Sequence, residues 1–235
     1  SWGSNDYGQT DVPENLTDVV SVSASEFSSF ALKSDGTLIG WGSNDWNILD
    51  IPEDLTDVVA IDAGYFHMLA LKSDGTVSSW GYVQASIPEE LTYSGSSNVV
   101  AIAAGKWHSL ALKSDGTLVA WGWNTDGQID IPEDLDNVIA ISVGEDYNLA
   151  LKSDGTVVGW GNNDYGQINI PEDLNGLVSL SSFEWSNLLL KNDGTVSGWG
   201  NNNVSQIQIP EGLSDVASIS TGIQFSLALK TDGSL

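Results

Sequence analysis

Short apolar runs alternate with clusters of Gly, Asn, Asp, Pro and Ser along the whole chain. In the first stretch, Val19 to Ser23, Phe30 to Lys33, Thr37 to Gly42 and Gln9 to Val12 are β-prone. Turn chemistry separates them at Ser34-Asp35-Gly36, Pro13-Glu14-Asn15 and Asn5-Asp6-Tyr7-Gly8. No stretch sustains the 3.6-residue period of an amphipathic helix. The pattern predicts strands joined by tight turns.

The pattern also recurs. Trp-Gly pairs begin at positions 2, 41, 80, 121, 160 and 199, spaced 39, 39, 41, 39 and 39 residues apart. A fixed period near 40 marks a repeat architecture, and four short antiparallel strands per repeat make one propeller blade. The expectation is an all-β fold: a closed six-bladed β-propeller of four-stranded blades, forming one domain over residues 1–235. Ser234-Leu235 align with Thr37-Leu38, and Ser1-Trp2 with Gly40-Trp41. The N-terminus is therefore expected to complete the last blade and close the ring without a free edge.

Composition narrows the function classes. The net charge is −25, with 32 acids against seven lysines. Such a surface repels nucleic acid and anionic lipid, so neither is an expected partner. No apolar run approaches the ~20 residues of a membrane-spanning helix, so membrane insertion is not expected. Cysteine is absent, which excludes disulfides and thiolate metal sites. The one methionine is Met68, and sequons stand at Asn15 and Asn203. An extracellular or cell-surface location is expected.

Comparing the repeats with one another separates scaffold from variable positions. The six repeat tryptophans (Trp2, Trp41, Trp80, Trp121, Trp160 and Trp199) are expected to pack between blades, and Leu32, Leu71, Leu112, Leu151, Leu190 and Leu229 in the core. Six Asp-Gly pairs, starting at Asp35, fit hairpin turns. Each supplies one carboxylate, whereas calcium takes six to eight oxygens, so no metal is assigned. Following the chain up and down, both variable loops of each repeat fall on one face and the acidic turns on the other.

The variable loops are rich in aromatics. One position carries Phe27, Phe66, Trp107, Asp146, Trp185 and Gln224 through the six repeats. The next position includes His67, His108 and Tyr147, and the preceding one Tyr65 and Lys106. The second loop adds Tyr7, Trp46, Trp123 and Tyr165. With Phe27, Phe66, Trp107 and Trp185, these residues form the candidate partner-binding surface, although a ring such as Tyr147 also suits capping a blade end. No blade position demands Trp46, Trp107, Trp123 or Trp185, however, and Trp and Tyr dominate binding hot spots. The two histidines occupy equivalent repeat positions and lack a third ligand, so no zinc site is assigned. No nucleophile elbow, phosphate loop or acid pair stands out, so no catalytic residue or cofactor is expected.

The stretch AAGKWHSLALKSDGTLVAWG, from Ala103 to Gly122, resembles the repeat of the regulator of chromosome condensation family. WGSNDYGQTDVP, at Trp2 to Pro13, is closer to the bacterial propeller-type beta-lactamase inhibitor family of type II. Both resemblances imply a propeller, although of seven blades rather than six. The second implies a non-catalytic module that docks on a protein, a beta-lactamase-like enzyme for example, through aromatics matching Phe27, Phe66, Trp107 and Trp185. The alternative is a glycan-binding or structural domain of a larger secreted or surface protein. Exchange-factor activity on a small GTPase, which the first family implies, is disfavoured by the acidic charge and the lack of a long insertion.

Overall fold

The computed structural model describes residues 3–82, 86–95, 97–172, 174–222 and 224–235. Among the described residues the fold is all-β and built of six antiparallel sheets, one per repeat, five of three strands and one of two. The first holds β1 (Val19–Ala24), β2 (Ser28–Lys33) and β3 (Leu38–Gly42). The second holds β4 (Val58–Ala63), β5 (His67–Lys72) and β6 (Val77–Gly81), the third β7 (Val99–Ala104), β8 (His108–Lys113) and β9 (Leu118–Gly122). The fourth holds β10 (Val138–Val143), β11 (Tyr147–Lys152) and β12 (Val157–Gly161), the fifth β13 (Leu177–Phe183), β14 (Ser186–Lys191) and β15 (Val196–Gly200). The last pairs β16 (Val216–Thr221) with β17 (Ser226–Lys230). The sheets fall into two compact units, the first reaching Ser114 with Leu118–Trp123, the second comprising Asp115–Thr117 and Asn124–Leu235.

Three strands per sheet, not four, is a correction to the sequence reading. The expected fourth strand, Gln9 to Val12, is a string of turns. Asp11 N–H donates to the Gly8 carbonyl at 3.0 Å and Val12 N–H to that of Thr10 at 3.0 Å. The Asn5 side chain binds the same segment, accepting from Thr10 N–H at 2.9 Å and donating to Asp11 at 2.7 Å. Asn44 and Asn124 do the same for their own repeats. With the Thr10, Asp11 and Val12 amides committed locally, the segment does not form a ladder. The expected seam at Ser1 and Trp2 lies outside the described residues.

The repeat tryptophans join one repeat to the next by a hydrogen bond as well as by packing. The indole N–H of Trp41 donates to the Gln9 carbonyl at 3.0 Å, that of Trp80 to Ile48 at 2.8 Å, and that of Trp199 to Gln167 at 2.9 Å. Core clusters run across neighbouring repeats in the same way. Phe30 and Leu32 of the first repeat pack with Val58, Ile61 and Met68 of the second. Leu188 and Leu190 pack with Val216 and Ile219. Five of the six expected core leucines are buried, but Leu229 is 40% exposed. Its sheet has two strands among the described residues.

The Asp-Gly turns are self-capped. Asp35 Oδ1 accepts from the Thr37 N–H at 3.0 Å and its hydroxyl at 2.6 Å, while Gly36 takes φ +83°. These bonds hold the Asp35 carboxyl below its usual range. Asp74, Asp115, Asp154, Asp193 and Asp232 make the same pair of bonds.

Candidate functional site

Both variable loops of a repeat leave the same end of its sheet. Ala24 pairs with Ser29 and Ser28 with Gly42, so the loop after β1 and the loop after β3 lie side by side. A backbone bond ties them, Ser43 N–H to the Phe27 carbonyl at 2.9 Å. The equivalents are Tyr82 to Phe66, Trp123 to Trp107, Asn162 to Asp146 and Asn201 to Trp185. The carbonyl of the variable ring position therefore anchors the loop after the Trp-Gly pair. A Cβ on Gly42 would come within 2.9 Å of Ser28 Cα, so glycine is required for this approach.

This geometry pairs aromatic side chains from successive loops. Tyr7 meets Phe27 with ring centroids 4.8 Å apart, and Trp46 meets Phe66 at 5.3 Å. Tyr82 meets Trp107 at 5.6 Å, and Tyr165 stacks on Trp185 at 4.8 Å and 27°. In the first unit the pairs fuse. Trp46 contacts Tyr82 at 5.0 Å, Phe66 contacts Trp107 at 4.3 Å, and Tyr65 lies 6.0 Å from Phe66. The Lys106 ammonium sits 5.6 Å above the Tyr65 ring, within cation–π range. Ring pairs contribute roughly 0.5–1.5 kcal/mol beyond burial, so the cluster holds its own shape.

Much of that cluster remains open to solvent. Trp46 is 47% exposed and Tyr82 42%; Trp123, on the following loop, is 43% exposed. Trp46 also adopts φ +66°, a left-handed backbone unusual for a bulky side chain. Such a conformation costs on the order of 1–3 kcal/mol and persists where the surroundings impose it, often at functional sites. Tyr82, from the shortened loop after the Trp80-Gly81 pair, is the ring that joins Trp46 to Trp107.

Three residues assigned to the binding surface from sequence lie inside instead. His67, His108 and Tyr147 are 3%, 1% and 0% exposed. Each begins the middle strand of its sheet. His67 Nε2 lies 2.9 Å from Ser109 Oγ of the next repeat, and the Tyr147 hydroxyl is 2.8 Å from Asn187 Oδ1. Burial, followed by the neighbouring His108, lowers the His67 pKa to about 4, and burial raises that of Tyr147. Phe27, Tyr65, Phe66, Lys106, Trp107 and Trp185 are half-buried in the loops, while Tyr7 and Tyr165 are exposed.

Among the described residues, no group of three or more His, Asp and Glu is placed to hold a metal ion. No helix among them is long and apolar enough to cross a membrane.

Comparison with known proteins follows the repeats. Residues 19–45, 58–82, 99–128 and 138–167 match the regulator of chromosome condensation (RCC1) repeat, so the chain carries RCC1-like repeats. No protein with a curated description matches it. Among solved structures it is similar to Prp20p of Saccharomyces cerevisiae, with TM-score 0.77 and 20% identity over 94% of this chain and 72% of that one. That protein was described with its binding properties to Gsp1p and histones. The ectodomain of the Physcomitrella patens receptor kinase CR4 gives TM-score 0.78 and 22% identity, over 99% of this chain and 64% of that one. The CRINKLY WD40 ectodomain of the Arabidopsis thaliana receptor kinase ACR4 gives 0.77 and 18%, over 100% and 84%. At these identities the likeness establishes the propeller fold.

Proposed function

We propose that the chain is a non-catalytic protein-binding propeller module that contacts its partner through the aromatic loop ends of its repeats. The observation that carries this is the cluster of Trp46, Tyr65, Phe66, Tyr82 and Trp107 in the first unit, five rings in mutual contact and partly open to water. Exposed aromatic surface of this kind is the usual anchor of an interface, where one truncation can cost roughly 2 kcal/mol or more. RCC1-like repeats support the reading, since they build protein-interaction propellers. An inhibitor-like docking on a bacterial enzyme of beta-lactamase type is the specific form to test first. An extracellular or cell-surface location is part of the same proposal.

The test is quantitative affinity capture from the native medium with wild type and with Trp46→Ala/Trp107→Ala. The double substitution leaves the net charge unchanged. A partner retained by wild type should be weakened tenfold or more, because a decade is ~1.4 kcal/mol and two anchors are lost. Equal recovery by both proteins would remove the aromatic cluster as the contact. Selective recovery of free oligosaccharide would replace the protein partner with a glycan.

A further inference from the structure

Within each unit, successive repeats meet through the same parts. The residue that begins the middle strand leans onto the next repeat: His67 Nε2 lies 2.9 Å from Ser109 Oγ, and the Tyr147 hydroxyl donates to the Ser186 carbonyl at 3.1 Å. An aliphatic side chain of the following first strand packs against the preceding repeat, Ile61 with Phe30 and Leu32, and Ile219 with Leu188 and Leu190. A polar oxygen completes the joint. Ser23 Oγ accepts from Ala63 N–H at 3.0 Å, Asp62 Oδ2 from Ala104 N–H at 2.7 Å and Ser181 Oγ from Thr221 N–H at 3.0 Å. A repeat thus has an incoming face and a different, complementary outgoing face.

The first repeat exposes an incoming face and the sixth an outgoing one. Val22 stands at the position of Ile61 and Ile219, yet it is 71% exposed while both of those are buried. Val20 is also exposed, but so are Val59 and Val178 at the same position, so Val22 alone marks the uncovered seat. Phe225 stands at the position of Tyr147 and lies over Gly222 as Tyr147 lies over Gly144, yet it is 55% exposed while Tyr147 is buried. Ser220 and Ala24, the counterparts of Ser181 and Thr221, are exposed too. Residues 19–25 and 216–229 contain no charged residue, in a chain with 32 acids. We propose that these two faces bind each other between two copies of this chain, head to tail. Phe225 of one copy lies on Ser28 and Ser29 of the next, as Tyr147 lies on Ser186 and Asn187. Ser220 Oγ accepts from Ala24 N–H in the same joint. A second copy is the fitting partner because this chain supplies both halves of a joint that it already makes between its own repeats. The pairing is heterologous, so each dimer keeps one face of each kind and can extend.

The test is sedimentation velocity at about 0.15 M salt, where repulsion between copies of charge −25 is screened beyond ~8 Å. From roughly 1 to 100 μM, the range of a transient interface, wild type should shift towards larger species. Val22→Asp and Phe225→Asp each bury an unpaired carboxylate in the joint and should weaken association tenfold or more. Both side chains are exposed in the single chain, so the melting temperature of either variant should match wild type. Mixing decides the geometry. Val22→Asp keeps its outgoing face and Phe225→Asp its incoming face, so the equimolar mixture should form a 1:1 dimer that does not extend. A mixture that stays monomeric while wild type associates would overturn the head-to-tail pairing. Wild type that is monomeric throughout would overturn it as well; a melting temperature lowered by either variant would then assign the two faces to a contact within one chain. Trp46→Ala/Trp107→Ala should associate like wild type, so failure here is separable from failure of the capture experiment.

Discussion

A half-buried aspartate and a buried histidine of the first unit oppose each other, and substituting either one should expose the other in the pH dependence of stability. Asp62 Oδ2 accepts from Ala104 N–H of the next repeat at 2.7 Å. Its Oδ1 accepts a long, 3.5 Å bond from Ser23 Oγ, which itself accepts from Ala63 N–H at 3.0 Å. The same inter-repeat bond is made without charge by Ser181, which accepts from Thr221 N–H at 3.0 Å. Burial outweighs these bonds and pushes the Asp62 pKa from 3.8 up to about 6. His67, beside Ser109, is pushed from 6.5 down to about 4. As pH falls from 7 to 4, folded Asp62 takes up its proton before the unfolded chain does, which stabilises the fold by about 2 kcal/mol. Over the same window the unfolded chain protonates His67 while the fold resists, which destabilises it by about 3 kcal/mol.

In wild type the two effects nearly offset. Asp62→Asn should leave His67 alone, so the variant loses stability on acidification. His67→Gln should leave Asp62 alone, so that variant gains it. Carboxyls held below their usual range, such as Asp154 and Asp193, act with the opposite sign to Asp62, chiefly below pH 4, and are common to all three proteins. The assay is melting temperature against pH from 7 to 4 by differential scanning calorimetry. At roughly 2–4 °C per kcal/mol for a chain of this size, the two variants should diverge in opposite directions by about 5–10 °C. Parallel curves for all three proteins would refute the assignment.

Other consequences test the scaffold. Trp160→Phe removes the 3.1 Å indole bond to the Gln128 carbonyl, which Asn148 also caps at 2.7 Å; unfolding free energy from urea titration should fall by about 1 kcal/mol. Gly144→Ala places a Cβ against the Tyr147 ring and should destabilise by about 2 kcal/mol or more, with partial rescue by Tyr147→Ser in the same titration. Asp154→Ala breaks both bonds to Thr156, at 2.9 and 2.6 Å, and should loosen that hairpin, seen as faster amide exchange at Thr156.

The repeat and the all-β class were legible because each was written six times. A period near 40, the Trp-Gly pairs and the Asp-Gly-Thr turns report local chemistry that depends little on distant context. The fourth strand was misread because Gln9 to Val12 has strand-like residues, while the bonds that commit its amides are local turns and a cap from the Asn5 side chain, upstream of the apolar pattern. The burial of His67, His108 and Tyr147 had a signal that a residue-by-residue reading passes over. Gly64, Gly105 and Gly144 stand three residues before them, where Ser25 and Phe183 precede the small Ser28 and Ser186. The glycine leaves room for the ring, as the contacts of a Cβ at Gly64 and Gly144 show. The aromatic loops were legible as a set. Their fusion through Tyr82 was not, because that loop departs from the repeat's length.

Hydroxyl-radical footprinting of the chain, alone and with its captured partner, tests the central claim most directly. Trp46, Tyr82 and Tyr165 are exposed at the loop ends, and Tyr93, 59% exposed beyond the short turn Glu89–Leu91, serves as an internal reference. A partner bound through the aromatic loop ends should protect Trp46 and Tyr82 several-fold while Tyr93 oxidises as before. Protection of Tyr93 with Trp46 and Tyr82 unchanged would contradict the account.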